Sequence, residues 1–256
     1  MIPSALDHVQ DIARSGRVAV FLDYDGTLTP VVSHPENASL SDSMQKALRE
    51  LAARAPVAIL SGRELDDVRR RIDIDGIVYA GSHGFDIDGP RGLRRQVATE
   101  FLPKLAIAEN ELHEALDGIP GASLERKRFS IAAHYRNVKE NDVPAMERAV
   151  SYVGARHPEL RRIDGKKVYE LLPRIGWDKG KAMLWLLETL DLKSNDVRPI
   201  YIGDDSTDED AFRALEQSGI GILVSEQVQP TAARYLLKDP REVEHFLCEL
   251  AARLVQ

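Results

Sequence analysis

One cysteine, Cys248, stands in 256 residues, so no intrachain disulfide framework can form and nothing points to an oxidising compartment. No apolar run approaches the roughly 20 residues that a membrane-crossing helix requires. The first residues lack the basic stretch and apolar segment of a secretory leader. A basic surplus is missing too: 34 Lys/Arg against 41 Asp/Glu give a net charge of -7, the wrong sign for a nucleic-acid binder. Internal repeats and low-complexity tracts do not occur. These absences predict a cytoplasmic protein that meets neither membrane nor nucleic acid.

What is present fits a globular chain: 43% hydrophobic and 29% charged residues can build a real core, at a length of one to two domains. Charge is unevenly spread. Residues 85–175 carry 16 Lys/Arg against 14 Asp/Glu, leaving 18 against 27 in the flanks. An acidic core suited to a divalent cation, beside a segment suited to an anion, would look like this.

Short β-rich apolar runs alternate with helical stretches in both flanks. Strands are predicted over residues 18–22, 57–60, 77–80, 200–202 and 220–224, and helices over 41–54, 64–72, 179–190 and 208–216. The strands are apolar on both faces, which predicts a doubly wound parallel sheet covered by helices. The middle reads differently: a helix over about 100–116, a strand over 129–135, a helix over 143–156, and a strand pair over 160–172 turning at Asp164-Gly165. The expected organisation is an α/β core of residues 1–84 and 176–256 with an inserted α+β cap of residues 85–175, hinged near Gly84 and Ile175-Gly176. Cys248 reads as a core residue of the last helix, beside Phe246, Leu247 and Leu250.

Ligands of open parallel sheets bind outside the carboxyl ends of the strands, so the loops there are the place to look. Three are loaded: Asp23-Tyr24-Asp25-Gly26-Thr27, Ser61-Gly62-Arg63 and Gly203-Asp204-Asp205-Ser206-Thr207-Asp208. Lys179 opens a helix nearby in the chain. Asp23, Asp25 and Asp204 would repel one another if left bare, and hard oxygen ligands are what Mg²⁺ prefers. A carboxylate beside a metal and a lysine is a competent nucleophile toward phosphorus, with Lys179 and Ser61 holding the phosphoryl oxygens. Each residue also has an ordinary use: an aspartate or Ser61 as a helix cap, Lys179 as a solvated charge. Their convergence on one sheet edge outweighs that account. Residues 204–210 do not form a calcium loop, because Glu209 occupies the position that needs glycine.

The run Phe21-Leu22-Asp23-Tyr24-Asp25-Gly26-Thr27-Leu28-Thr29-Pro30, with Ser61-Gly62-Arg63, Lys179-Gly180 and Gly203-Asp204-Asp205-Ser206-Thr207-Asp208-Glu209-Asp210, resembles the four motifs of the haloacid dehalogenase superfamily. Tyr79-Ala80-Gly81-Ser82-His83-Gly84, Glu125-Arg126-Lys127, His134-Tyr135-Arg136, Gly165-Lys166-Lys167-Val168-Tyr169-Glu170 and Trp177-Asp178-Lys179-Gly180 narrow the resemblance to the trehalose-6-phosphate phosphatases. Spacing alone does not tell which of Asp23 and Asp25 attacks. The resemblance implies that Asp23 is nucleophile and magnesium ligand and that Asp25 is general acid and then base, its backbone carbonyl also on the metal. It makes Asp204 a direct ligand, with Asp205 and Asp208 in support. Ser61 and Lys179 would bind the phosphoryl group, and Arg63, Glu125, Lys127, Arg136, Lys166 and Glu170 the substrate. A cap closing over the core, trehalose 6-phosphate as substrate, and functional pairing with a trehalose-6-phosphate synthase are implied likewise. Three alternatives stand beside this: a capped phosphatase or mutase for another sugar phosphate, such as sucrose phosphate or mannosyl-phosphoglycerate; a signalling receiver; and a catalytically silent relative. His83 and His134 read as structural, and Tyr24 as a strand-end packing residue.

Overall fold

The computed structural model describes every residue except Met1, Ser15, Ser33, His34, Lys166, Asn195, Val228, Val255 and Gln256. In chain order its elements are α1 (Val9–Arg14), β1 (Arg17–Leu22), α2 (Asp42–Ala52), β2 (Val57–Leu60), α3 (Leu65–Ile72), β3 (Val78–Gly81), β4 (Asp86–Asp88), β5 (Arg94–Gln96), α4 (Leu102–Leu116), β6 (Ser123–Lys127), β7 (Ser130–His134), α5 (Val143–Arg156), β8 (Leu160–Gly165), β9 (Val168–Pro173), α6 (Lys179–Thr189), β10 (Val197–Gly203), α7 (Glu209–Leu215), β11 (Ile220–Val224), β12 (Tyr235–Leu237) and α8 (Pro240–Arg253). The chain divides into two compact units, residues 1–95 with 177–256, and residues 96–176.

The first unit is built on a sheet ordered β12-β11-β10-β1-β2-β3-β4-β5. Strands β12 to β3 run parallel; β4 returns antiparallel to β3. Alternation along β1 explains the layering. Val18, Val20 and Leu22 pack with residues of α1, α2, α3 and α8, whereas Ala19 and Phe21 pack with residues of α6 and α7. Both faces are covered, as all-apolar strands require. Ser41 caps α2 by accepting from the Met44 amide at 3.1 Å, and Met44, Ala47, Leu48 and Leu51 face the core. In α8 the inward residues are Val243, Phe246, Leu247, Leu250 and Ala251. Cys248, expected among them, is exposed: it follows two consecutive core positions, and a third would leave the 100° stripe a helix can bury.

The first boundary also differs from expectation. The change of unit falls after Arg95 and not at residue 85, because β4 pairs with β3 and stays with the core sheet. Gly84 is therefore an interior position of the first unit. Its φ of +87° suits glycine, a Cβ there would lie 2.4 Å from the Ala182 Cβ, and its carbonyl accepts from the Trp177 indole at 2.8 Å.

The second unit is α+β, with α4 and α5 on one face of the antiparallel sheet β6-β7-β9-β8. Its strand β6 was not among those expected. The sequence there, Ser-Leu-Glu-Arg-Lys, belongs to an edge strand with only a faint apolar signal. The β8–β9 pair forms as expected, but Asp164 and Gly165, expected in the turn, are the last residues of β8 and pair with Tyr169 and Val168.

Register is what makes a site. Leu22 pairs with Ile202 on one side and Ile59 on the other, so β1, β2 and β10 end at one level. The Asp23 amide continues the ladder onto the Ile202 carbonyl at 2.9 Å.

The loop between α3 and β3 is closed by a buried hydroxyl. Tyr79 donates to the Ile74 carbonyl at 2.8 Å and accepts from the Ile74 amide at 3.0 Å. Replacing Tyr79 by Phe orphans two buried backbone groups, so Tyr79→Phe is expected to lose about 1–3 kcal/mol in urea unfolding with an unchanged slope. A loss within error would show that these groups find other partners.

Candidate active site

Lys179, the first residue of α6, is buried with its ammonium between two carboxylates, donating to Asp23 Oδ1 and Asp208 Oδ1 at 2.8 Å each. Asp208 carries further bonds: the Tyr201 hydroxyl reaches Oδ1 at 2.7 Å, and the Asp204 and Asp205 amides reach Oδ2 at 3.0 and 2.9 Å. One carboxylate thus ties the β10 loop, Tyr201 and Lys179 together. Tyr201 was not singled out in the sequence, because a tyrosine inside an apolar strand has the pattern of a core residue.

Asp23, Asp204 and Asp208 each offer an oxygen within 4.8 Å of the other two. Three buried carboxyl groups share the single ammonium of Lys179, which leaves an acidic excess in the interior. Burial raises the Asp23 pKa well above the carboxylate norm, outweighing the pull of Lys179, and Asp208 and Asp204 push it the same way. For Lys179 burial opposes the charge, but Asp208 and Asp23 outweigh it and hold the ammonium well above the usual lysine value. A set of hard oxygen donors with this excess fits a divalent cation.

Two glycines permit the approach. Gly26 has φ +87°, and a Cβ there would lie 2.0 Å from Asp204 Oδ2; one on Gly203 would lie 2.3 Å from Asp208 Cγ. Ser61, buried at the end of β2, accepts from the Arg63 amide at 3.1 Å, which keeps its own proton for donation. The His83 ring lies against Gly62, and its amide donates to the Ser61 carbonyl.

Other expected residues take different positions. The Asp25 side chain is outside the buried set and is gripped by Arg63, through Nε at 2.7 Å and a terminal nitrogen at 2.7 Å. Arg63, expected on the substrate, also donates to Asp67 at 2.9 Å. The Asp205 carboxylate accepts from the amide and hydroxyl of Ser206.

In the second unit, cross-strand register aligns Glu125, Ala132 and Glu170. Glu125, Lys127 and Glu170 therefore share the sheet face opposite the one packed on α4 and α5. Lys127 donates to Glu170 Oε1 at 3.0 Å, and Ser130 donates to the same oxygen. His134, read from the sequence as structural, meets Glu125 at 2.9 Å. Arg136 lies in the exposed turn after β7, and Lys166 falls outside the described residues.

A parallel sheet whose strand ends carry Asp23, Ser61 and Asp204, with Lys179 of α6 bonded to Asp23, has the haloacid dehalogenase-like fold. Residues 21–241 match the family description Trehalose-phosphatase, and the chain belongs to that family. It is 44% identical to "Probable trehalose-phosphate phosphatase D" of Arabidopsis thaliana over 97% of this chain and 72% of that one. It is 42% identical to "Trehalose 6-phosphate phosphatase RA3" of Zea mays, over 97% and 74%. In fold it matches the C-terminal domain of the Candida albicans trehalose-6-phosphate phosphatase, with a TM-score of 0.86 at 22% identity over 100% and 99% of the two chains. Among the described residues, no helix is long and apolar enough to cross a membrane.

The His134 hydrogen bond, followed by the charge of Lys127, holds the Glu125 carboxyl below the ordinary glutamate range. Carbon-detected NMR should find Glu125 titrating below a solvent-exposed glutamate and moving upward in His134→Ala. An unmoved midpoint would refute the pairing.

Proposed function

We propose that this chain hydrolyses trehalose 6-phosphate to trehalose and inorganic phosphate, through an aspartyl phosphate on Asp23. The observation that carries the mechanism is the Lys179 ammonium 2.8 Å from Asp23 at the edge where β1, β2 and β10 end; family membership carries the substrate.

Lys179 and the Ser61 hydroxyl hold the phosphoryl oxygens and offset the charge spread over them in the transition state. A carboxylate oxygen of Asp23 attacks phosphorus while the bond from phosphorus to the sugar oxygen breaks. The Asp25 carboxyl gives its proton to that departing oxygen, which leaves as a neutral hydroxyl. Asp25, now a carboxylate, takes a proton from water; the water oxygen bonds to phosphorus, the bond to Asp23 breaks, and phosphate leaves. Mg²⁺ suits the acidic set; the carboxylates of Asp23 and Asp204 and the Asp25 carbonyl would hold it, with Asp205 and Asp208 in support. When bound, it screens Asp23 from the incoming phosphate and polarises the phosphoryl group.

Glu125, Lys127 and Glu170, with Arg136 and Lys166, are assigned to the sugar hydroxyls. Paired carboxylates and ammonium groups satisfy both the donors and the acceptors of a disaccharide. The insert is then the recognition unit. We assign the enzyme to the cytoplasm, working beside a trehalose-6-phosphate synthase; its single cysteine suits a reducing compartment.

The test is phosphate release from trehalose 6-phosphate, sucrose 6-phosphate, glucose 6-phosphate and p-nitrophenyl phosphate, with Mg²⁺ or with EDTA. Turnover should favour trehalose 6-phosphate, vanish in EDTA, and fall by about 10³-fold or more in Asp23→Asn. Preference for another sugar phosphate would refute the substrate assignment, and full activity in Asp23→Asn the mechanism.

A further inference from the structure

The Asp25 side chain is short, 43% exposed and outside the buried acidic set. A carboxylate so placed has several staggered positions open to it, yet it must give a proton to one oxygen and then take one from another. What fixes it is Arg63, whose side chain is only 10% exposed and whose planar fork takes both carboxylate oxygens at 2.7 Å. A bidentate pair sets the plane of the carboxylate as well as its distance, which a lysine in that place could not do.

Arg63 is itself held from two sides. Its guanidinium lies 5.2 Å from the centroid of the Tyr24 ring. Its other terminal nitrogen donates to Asp67 Oδ2 at 2.9 Å, and Arg71 Nε donates to the same oxygen at 2.8 Å. Arg71 in turn reaches the Ala38 carbonyl at 2.6 Å and the Glu36 carbonyl at 3.1 Å. The Tyr24 hydroxyl donates to that same Ala38 carbonyl at 3.1 Å. Arg63, Asp67 and Arg71 follow one another at four-residue spacing along one side of α3 and the residues leading into it. The relay starts at Asp25 and ends on the hydroxyl of its chain neighbour Tyr24.

Ion pairs at this spacing on a solvated helix contribute little, and along the chain these residues look like such a face. Here the side chains of Asp67 and Arg71 are 27% and 18% exposed and make contacts beyond their helix. Burial works against the Arg63 charge, and the bonds from Asp25 and then Asp67 more than restore it.

We propose that Asp67 and Arg71 are positioning residues for the phosphoryl-transfer reaction: acting through Arg63, they hold the Asp25 carboxyl in the orientation from which it exchanges its proton. Neither touches the reacting atoms. The proposal rests on the reading of Asp25 as acid and base, and it assigns Arg63 to Asp25 in place of the substrate. A carboxyl displaced by about 1 Å can cost up to about 10²-fold in rate, with ground-state binding intact.

The experiment compares Asp67→Asn and Arg71→Gln with the wild type, each also in an Asp25→Asn background, with unfolding curves for all. Steady-state constants are measured on trehalose 6-phosphate, and the single-turnover burst of p-nitrophenol on p-nitrophenyl phosphate, whose weakly basic leaving group needs no proton. In the wild-type background kcat on the sugar phosphate should fall about tenfold with KM within about twofold. In the Asp25→Asn background the burst rate should not fall further, because the effect passes through Asp25. Arg71→Lys, which keeps a cation on Asp67, should recover part of the loss. Equal losses in both backgrounds would mean a merely structural role, and a raised KM at constant kcat would return Arg63 to the substrate; either overturns the proposal. Should Asp67→Asn fail to fold, Arg71→Gln and Arg71→Lys decide it alone. Should the wild type give the burst but leave trehalose 6-phosphate intact, the substrate reading falls, and the relay is judged on the next alkyl phosphate it hydrolyses.

Discussion

The arrangement turns on one buried ion pair cluster, the Lys179 ammonium set between Asp23 and Asp208. Taking an ammonium and two carboxylates out of water is expensive, and their mutual attraction offsets it only with good geometry and satisfied partners. Here the Asp208 carboxylate accepts four hydrogen bonds, from Lys179, Tyr201 and the backbone amides of Asp204 and Asp205. Removing one member of such a set leaves an uncompensated charge, which in buried pairs generally costs about 3–5 kcal/mol. The cluster therefore fixes more than the two groups that meet phosphate. It fixes where α6 starts, how the β10 loop folds back, and why Gly26 and Gly203 cannot carry a side chain.

The sheet supplies the other half of the constraint. Parallel strands ending at one level deliver several loops to one place without any loop being long. Asp23 continues the β1 ladder, Ser61 leaves β2, and Asp204 leaves β10, so each side chain is carried by a strand that is buried on both faces. Such a strand cannot drift by a residue without turning its core face outward. Precision in the site follows from hydrophobic register.

That same logic explains which parts were legible in the sequence. Asp23, Ser61 and Asp204 stand where apolar runs stop and Lys179 where one begins, and a polar residue at such a point has no reason from packing. Tyr201 is no less engaged than Lys179, yet it sits inside the run and has a core residue's signature. Strand β6 brings Glu125 and Lys127 to the second sheet, but its mostly polar sequence gave no period to follow. Asp67 and Arg71 were invisible for a third reason: four-residue spacing of opposite charges is what any solvated helix shows, and only tertiary burial separates the two cases. Cys248 and the boundary at Arg95 mark the remaining failures. Both arise where a local pattern continues one step past the point at which tertiary packing ends it.

The two units also differ in electrostatic character, each taken by itself. In the first, Asp23, Asp204 and Asp208 outnumber Lys179, and such an excess would repel a phosphate unless a divalent cation accompanied it. In the second, Glu170 is paired with Lys127 and Glu125 with His134, so the sheet face opposite α4 and α5 carries donors and acceptors together. Such a face has little to offer a dianion and much to offer a ring of hydroxyls, since each hydroxyl needs a donor and an acceptor at once. A sugar phosphate has one end of each kind. On the proposed reading of the site, the chemical division of the substrate would be matched by a division of the chain, with the acidic set meeting the phosphate end and the paired face the neutral end.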